Sequence, residues 1–538
     1  MENKEVYLKQ NVMAEPLFNQ WYAWSGLINP ATAALYIANS HVKIMQSFVA
    51  APQVHISALK NATMLGGPFI NYDAGRVKDI KALLERTVAE QTLMLKLAEA
   101  IKELERILAT EADGSSLEPL YRKVPDLLRG YVELVYDLNH NPSIRFIEGL
   151  LYQSPYYNRA AQSVALSISE NDDRPFVFST PRLAADNLLR LPLSFADERL
   201  DELFRMKSSP QLFGHIKDLL GVQAEDEQLF SSLFTTEAPP KVASNHHNAV
   251  RVRYFGHACV LVEAAGVSIL CDPVIPYSHE GSVPRWSYAD LPETIDYVLI
   301  THNHQDHCMF ETLLQLRHKI KQVIVPRNSG GSLVDPSMKL MLQNIGFANV
   351  RDVDEMETIE VAGGGITALP FLGEHADLNI RTKTAYFIKV QGKSILCAAD
   401  SNNIEPAMYE HIHDFTNDVD VLFLGMECEG APLSWVYGSL LTKPLARKLD
   451  QSRRLDGSNY EKAISIVDCL NPKQVYVYAM GQEPWLTFVT SIHYTEASHP
   501  IVESSKLVAE CLNRGLVSES LFGRKEIFPM AESAVTHS

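Results

Sequence analysis

Hydrophobic positions in roughly the first 230 residues recur at helical spacing. Over residues 76–108, Met94, Leu97, Ile101, Leu104 and Leu108 follow at intervals of three and four and line one helix face, while Lys102, Glu103, Glu105 and Arg106 take the other. Only two heptads of this repeat are present, which favours a core inside the chain over a coiled coil between chains. Further helices are expected over 117–138, 142–151 and roughly 184–220, divided by Pro and Gly. At 235–248 the texture changes to TTEAPPKVASNHHN, whose paired prolines and small polar residues read as a linker; its His246 and His247 read as solvated side chains, not ligands. The expected division is a mainly helical domain over 1–240 and a second domain over 249–538.

Beyond the linker the period shortens to two. VRVRYFG (250–256) and CVLVEAAGVSILCDP (259–273) alternate around a Gly266 turn, and YFIKVQGKSILCAAD (386–400) repeats the plan around Gly392. The tetrapeptide SILC recurs at 268–271 and 394–397, each time shortly before an Asp, as two pseudo-symmetric β-rich halves would produce. Apolar runs at 297–300, 322–326, 366–373, 420–427 and 474–480 read as buried strands with helices between them.

Composition narrows the class. The chain has 538 residues, enough for two to four folding units, with 46% hydrophobic and 21% charged residues, which excludes disorder and a small disulfide scaffold. A formal charge of −17 gives no general attraction to phosphate backbones, so no nucleic-acid partner is expected. No secretory signal and no apolar run of membrane-spanning length is read, so the expected location is the cytoplasm, without a membrane partner. The seven cysteines are odd in number, lack CxxC spacing and mostly sit in apolar runs, which reads as buried thiols.

The strongest chemical signal is Thr301-His302-Asn303-His304-Gln305-Asp306-His307, directly after the apolar strand YVLI. Three imidazoles and a carboxylate on a loop leaving a strand can direct two ligands at one metal and two at a neighbour. HNHQDH in this position resembles the HxHxDH signature of the metallo-β-lactamase superfamily, and YFGHACVLVEAAGVSILCDP resembles that fold's opening strands. The resemblance covers about residues 250–500 and implies an αββα sandwich with a two-metal site, so the fold class is α+β, with that sandwich preceded by the mainly helical domain. Hydrolytic members follow the motif with a third histidine, a bridging Asp and a late histidine. Here the strand ITALPFLG runs into Glu374, Asp400 matches the bridging position, and Gly481-Gln482-Glu483 stands where the late histidine is expected. Glu427 is the candidate for the vacant place on the second metal and His493 the alternative; His375 competes with Glu374 for the first. His302, His304 and His307 with Asp306, Glu374, Asp400 and Glu427 form an anionic, oxygen-rich set suited to iron or manganese over zinc.

Glu in place of His, together with a long amino-terminal domain containing YVELVYDLNHNPSIRFIEGLLYQSPYY (131–157), resembles the diiron β-hydroxylases of nonribosomal peptide biosynthesis. That resemblance implies two nonheme irons, O₂ as co-substrate, an external electron donor such as a reductase, an aminoacyl thioester on a carrier domain of a peptide synthetase as substrate, and a homodimer whose amino-terminal domain covers the site. Glu374 and Asp400 are the residues expected at the reacting centre. Other residues stay open: His257 as an orienter or a core histidine, Trp435 and Tyr437 as pocket wall or core, and Arg447, Lys448, Arg453 and Arg454 as a docking patch or a solvated face. The competing functional reading is a dinuclear zinc hydrolase of the same fold, acting on an ester, thioester, lactone or phosphodiester.

Overall fold

The computed structural model describes residues 3–61, 64–240, 249–264 and 266–530. His246 and His247 lie outside the described residues.

The expected strands assemble, with four the sequence reading does not include (Val350–Val353, Thr358–Val361, Val517–Ser520 and Lys525–Ile527), into two seven-stranded sheets. In the first, the order is Val350–Val353, Ile320–Pro326, Ile295–Leu299, Val267–Cys271, Val260–Ala264, Arg251–Tyr254 and Lys525–Ile527. The second runs Thr358–Val361, Gly364–Leu369, Ala385–Val390, Lys393–Cys397, Val421–Gly425, Gln474–Tyr478 and Val517–Ser520. Each sheet changes from antiparallel to parallel at its SILC strand: Val262 pairs with Ile269 antiparallel and Ile269 with Tyr297 parallel, as Ile388 pairs with Ile395 and Ile395 with Val421. Between the sheets lies a core including Val252, Val262, Ile269, Ile388, Ile395 and Phe423, and helices cover the outer faces, giving the αββα sandwich. The repeated plan makes both strand ends with Asp, at Asp272 and Asp400, open on the same rim, where ligands of such sheets collect.

The helix Thr92–Glu111 buries Met94, Leu97, Ile101, Leu104 and Leu108 as the spacing predicts, and it packs against the helix Pro30–Tyr36 of the same chain. Other parts of the amino-terminal half depart from expectation. The segment expected as helix over 117–138 contains two short 3₁₀ turns and the strand Val132–Tyr136; that over 142–151 opens as the strand Pro142–Phe146 before the helix Glu148–Tyr152. These strands pair as a hairpin closed by DLNHNP, where His140 takes φ 60 and Pro142 cannot continue a helix. Over 184–220 the chain forms the strand Leu189–Leu191 before the helices Arg199–Arg205 and Phe213–Leu220. A four-stranded sheet, ordered Trp21–Tyr22, Val12–Phe18, Gln162–Ile168 and Leu189–Leu191, also lies in this half.

One apolar cluster runs from this half into the outer helix layer of the first sheet, joining Phe18, Trp21, Leu166 and Phe204 to Phe310, Leu313 and Met341. A buried polar network crosses the same boundary: Arg174 pairs with Glu15 and Glu311, Arg182 pairs with Glu15, and the Tyr22 and Tyr277 hydroxyls donate to Glu311 at 2.9 and 2.7 Å. Glu311 lies in the helix Phe310–Leu316, immediately after the His-rich loop. The seven cysteines are unpaired thiols.

Candidate metal centre

The strand Ile295–Leu299 delivers Thr301–His307 to the rim, and Asp272 shapes that loop. Its carboxylate accepts from the Thr301 amide at 2.7 Å, the Thr301 hydroxyl at 2.6 Å and His307 Nδ1 at 2.8 Å. Because His307 Nδ1 donates there, Nε2 is the ring nitrogen left to serve an ion once any proton on it is displaced, and it faces Asp400 Oδ2 at 3.0 Å. His302 Nδ1 meets the Thr301 hydroxyl at 3.0 Å, so its Nε2 also faces Asp400 Oδ2, at 3.6 Å. His304 points the other way round: Nδ1 lies 2.9 Å from Glu374 Oε1 and Nε2 2.9 Å from the Tyr437 hydroxyl.

Three sets of donor atoms, each within 4.8 Å of one another, therefore gather among the described residues: His302, His304 and Glu374; His302, His307 and Asp400; His257, Asp306 and His307. The sequence candidates His302, His304, Asp306, His307, Glu374 and Asp400 are brought together. Glu427 and His493 place no donor in these sets; Glu427 Oε1 instead accepts from the Glu429 amide at 3.2 Å. His375 likewise stands outside these sets, with Nδ1 at 2.9 Å from the Tyr437 hydroxyl, although its ring lies 4.6 Å from that of His304 and its buried Nε2 has no hydrogen-bond partner. His257 stands next to Asp306, Nε2 to Oδ2 3.1 Å, with Nδ1 accepting from the Gly481 amide at 3.2 Å.

Several of these residues hold left-handed backbone: His257 at φ 52, Asp272 at φ 38, Glu374 at φ 65 and Ala399 at φ 48. Such conformations cost about 1–3 kcal/mol each and persist where the surroundings over-determine them, commonly at functional sites. Asp272 and Tyr437 were not singled out as parts of the metal site from sequence. For Asp272 a signal existed, since it ends the first SILC strand as Asp400 follows the second.

Charge at the site is unbalanced. Burial, then Asp400 and Asp306, push the Glu374 carboxyl well above the usual range, and burial lifts Glu427 to about 8. Burial depresses His302 strongly and His304 to about 4. Burial opposes the charged form of His307 as well, but Asp400, Asp272 and Asp306 hold its proton and raise it. Asp306 is held low against burial by His307 and His257. Buried carboxylates this close repel one another, and a cation relieves that repulsion.

Comparison with known proteins identifies the chain's relatives. Residues 7–239 match the family described as the diiron non-heme β-hydroxylase N-terminal domain, and residues 251–447 the β-lactamase superfamily domain. Over 531 residues, 97% of this chain and 99% of the relative, the sequence is 40% identical to the 4-amino-L-phenylalanyl-(CmlP peptidyl-carrier-protein) 3-hydroxylase of Streptomyces venezuelae. The chain belongs to the diiron non-heme β-hydroxylases. The fold matches the crystal structure of CmlA, a diiron β-hydroxylase from Streptomyces venezuelae, with TM-score 0.92 and 39% identity over 98% of this chain and 100% of that one. A shorter likeness, 32% identity over 126 residues, covers 23% of this chain and 50% of a UPF0173 protein of Pyrococcus abyssi.

The residues of this β-hydroxylase fit the two irons its family implies. Nε2 of His302, Nε2 of His307 and Oδ1 of Asp400 are buried and have no hydrogen-bond partner, which is costly unless an ion takes their lone pairs. The sets overlap through His302 and His307, so the donors form one continuous line with Asp400 at its centre. Three carboxylates, Asp306, Glu374 and Asp400, beside the imidazoles harden the set, which suits iron.

Proposed function

We propose that the chain is an O₂-dependent monooxygenase that hydroxylates the β-carbon of an amino acid held as a thioester on the carrier domain of a nonribosomal peptide synthetase. The observation that carries this reading is the line of donors from Glu374 and His304 through Asp400 to His307 and Asp306. The carrier-bound aminoacyl substrate named for the end-to-end relative supports it. In this assignment His302, His304 and Glu374 would hold one iron, Asp306 and His307 would hold the other, and Asp400 would serve both. Glu374 and Asp400 would then be the carboxylates at the reacting centre. Glu427 is buried within electrostatic reach of Asp400, which with burial favours its protonated form, and it stands outside the donor sets.

Two ferrous ions at these positions supply O₂ binding and electron transfer for C–H hydroxylation. Inserting one oxygen atom of O₂ into a C–H bond consumes two electrons and two protons and releases water, so the reading includes an external electron donor, a reductase or its equivalent. The chain's own residues orient and exclude. Asp272 and Thr301 fix which nitrogen His307 and His302 present. The amino-terminal half holds the site's loops, with the Ser25 hydroxyl donating to Asn303 O at 3.0 Å. That contact supports assigning residues 1–240 as a domain that covers the site, while 249–538 carry the catalysis; the same reading takes the enzyme as a cytoplasmic homodimer.

The deciding experiment measures metal per chain in protein produced with and without added iron, then O₂ consumption with free and carrier-loaded amino acids. About two irons with little zinc, and O₂ uptake that requires the loaded carrier, are expected. Two zincs in both preparations, with hydrolysis of an ester or thioester, would replace this reading with a dizinc hydrolase.

A further inference from the structure

We propose that Tyr437, held in place by the amino-terminal half, is a positioning residue that fixes how His304 presents its metal-binding nitrogen. The inference rests on His304 being an iron ligand, as assigned above. Nδ1 of His304 lies on the Glu374 side, so for that nitrogen to offer a lone pair the ring proton must sit on Nε2. Nε2 is buried and meets the Tyr437 hydroxyl oxygen at 2.9 Å. When Nε2 donates to that oxygen, the hydroxyl proton is free to go to the other neighbour at 2.9 Å, Nδ1 of His375. The result is a directed chain, His304 to Tyr437 to His375, whose direction is set by the metal-binding tautomer. Partners of this kind raise ligand basicity and lock ring orientation.

Tyr437 ends a five-residue helix, Leu433–Tyr437, too short to hold its own geometry. Its supports are tertiary. Asp450 accepts from the Ser434 amide and hydroxyl, both at 2.8 Å, on one side. From the amino-terminal half, the Tyr36 hydroxyl donates to Val436 O and Asn39 Nδ2 to Ser439 O, each at 2.8 Å. These two bonds bracket Tyr437 in sequence. Asn39 stands in a π-helical turn, Ile37–His41, between two α-helical stretches, and wide turns of this type recur at functional positions. Gly66, at φ 81, lets the amino-terminal chain approach Trp435 so closely that a Cβ there would lie 3.3 Å from the indole ring. Residues about 400 positions apart in sequence thus meet one residue away from, and two residues past, the tyrosine that touches His304.

The test uses the full chain stripped of metal and titrated with Co(II), a probe whose absorption reports coordination, in competition with a chelator. Tyr437→Phe keeps the ring and removes the hydroxyl. Expected is a loss on the order of 10–100-fold in affinity for one of the two ions, with a changed Co(II) spectrum at that ion and an unaltered one at the other. A double variant, Tyr36→Phe with Asn39→Ala, leaves every residue at the ions intact and is expected to weaken the same ion by a smaller factor; the two lost hydrogen bonds also lower the melting temperature of the metal-free chain, so the titration is run well below it. Unchanged affinity and spectrum in Tyr437→Phe overturn the proposal. A wild-type result in the double variant overturns it too, since the amino-terminal half would then set nothing at the ion. Should Tyr437→Phe fail to fold, the double variant carries the test alone. Co(II) binding is read without turnover, so failure of the hydroxylation reading would appear separately, as intact metal binding without O₂-dependent product.

Discussion

Nδ1 of His307 donates to Oδ2 of Asp272 across 2.8 Å, and the same oxygen takes the Thr301 hydroxyl at 2.6 Å. One carboxylate thus fixes both the loop and the ring. Asp272→Asn keeps the shape but turns an amide nitrogen toward two donors. The hydroxyl can rotate, but His307 must move its proton to Nε2, the nitrogen that faces Asp400. Affinity for the ion at His307 should fall about 10–100-fold, and the fold should lose roughly 1.5–3 kcal/mol from the broken charge-assisted bonds. Iron per chain after chelator dialysis, with a denaturant curve, measures both. Wild-type iron retention would mean Asp272 serves the loop alone.

The catalytic half was legible because its signals are local. The SILC repeat marks equivalent positions: Ser268 and Ser394 each donate, by amide and hydroxyl, to an aspartate on the neighbouring strand, Asp296 and Asp420. Those aspartates each take a lysine at 2.7 Å, Lys321 and Lys473. HNHQDH follows the strand next to the first SILC strand and Asp400 follows the second, whereas Asp272, at the end of the first, is placed in the site by the structure alone. The hairpin Val132–Phe146 was misread because its short apolar runs fit either period, and only the pairing of Leu134 with Ile144 decides between them. Tyr437 belongs to the site through a contact 133 residues away in sequence, and no spacing rule reaches that far.

Arg174 is the hinge of the buried network between the halves, paired with Glu15 and Glu311 and stacked on Phe488 with its guanidinium carbon 3.5 Å from the ring centroid. Arg174→Met keeps the stack and strands the carboxylates. Removing one partner of a buried ion pair costs roughly 3–5 kcal/mol. Burial pushes the Glu15 carboxyl up, yet Arg182 and Arg174 hold it below its ordinary value, so its contribution is present above the carboxylate range and lost as pH falls. In the variant that hold is halved, so Glu15 takes up a proton more readily. The stability gap to wild type should be widest near pH 8 and narrow toward about pH 5, as read by denaturant midpoints. A gap that stays constant with pH would show that Arg182 alone keeps Glu15 charged.

Glu148 ties the amino-terminal half to the segment Asn328–Ser337, accepting from Asn29 Nδ2 at 2.9 Å, Asn328 Nδ2 at 3.0 Å and the Ser337 amide at 2.9 Å. Burial nonetheless dominates and lifts its carboxyl from 4.5 to about 7. A carboxyl raised in the folded chain binds its proton more tightly there than in the unfolded chain. Its contribution is therefore complete below 4.5 and is lost as pH rises toward about 7, with no further change above that. Glu148→Gln does not titrate, and its amide meets donors that the carboxylate accepted, so the variant starts less stable at pH 5. Wild type should then lose stability relative to the variant between about pH 5 and pH 7.5, with a slope of at most roughly 1.4 kcal/mol per pH unit, so the two curves converge. Paired denaturant titrations across that range measure the convergence. Parallel curves would mean that the three donors, not burial, control Glu148, and that the carboxylate stays charged throughout.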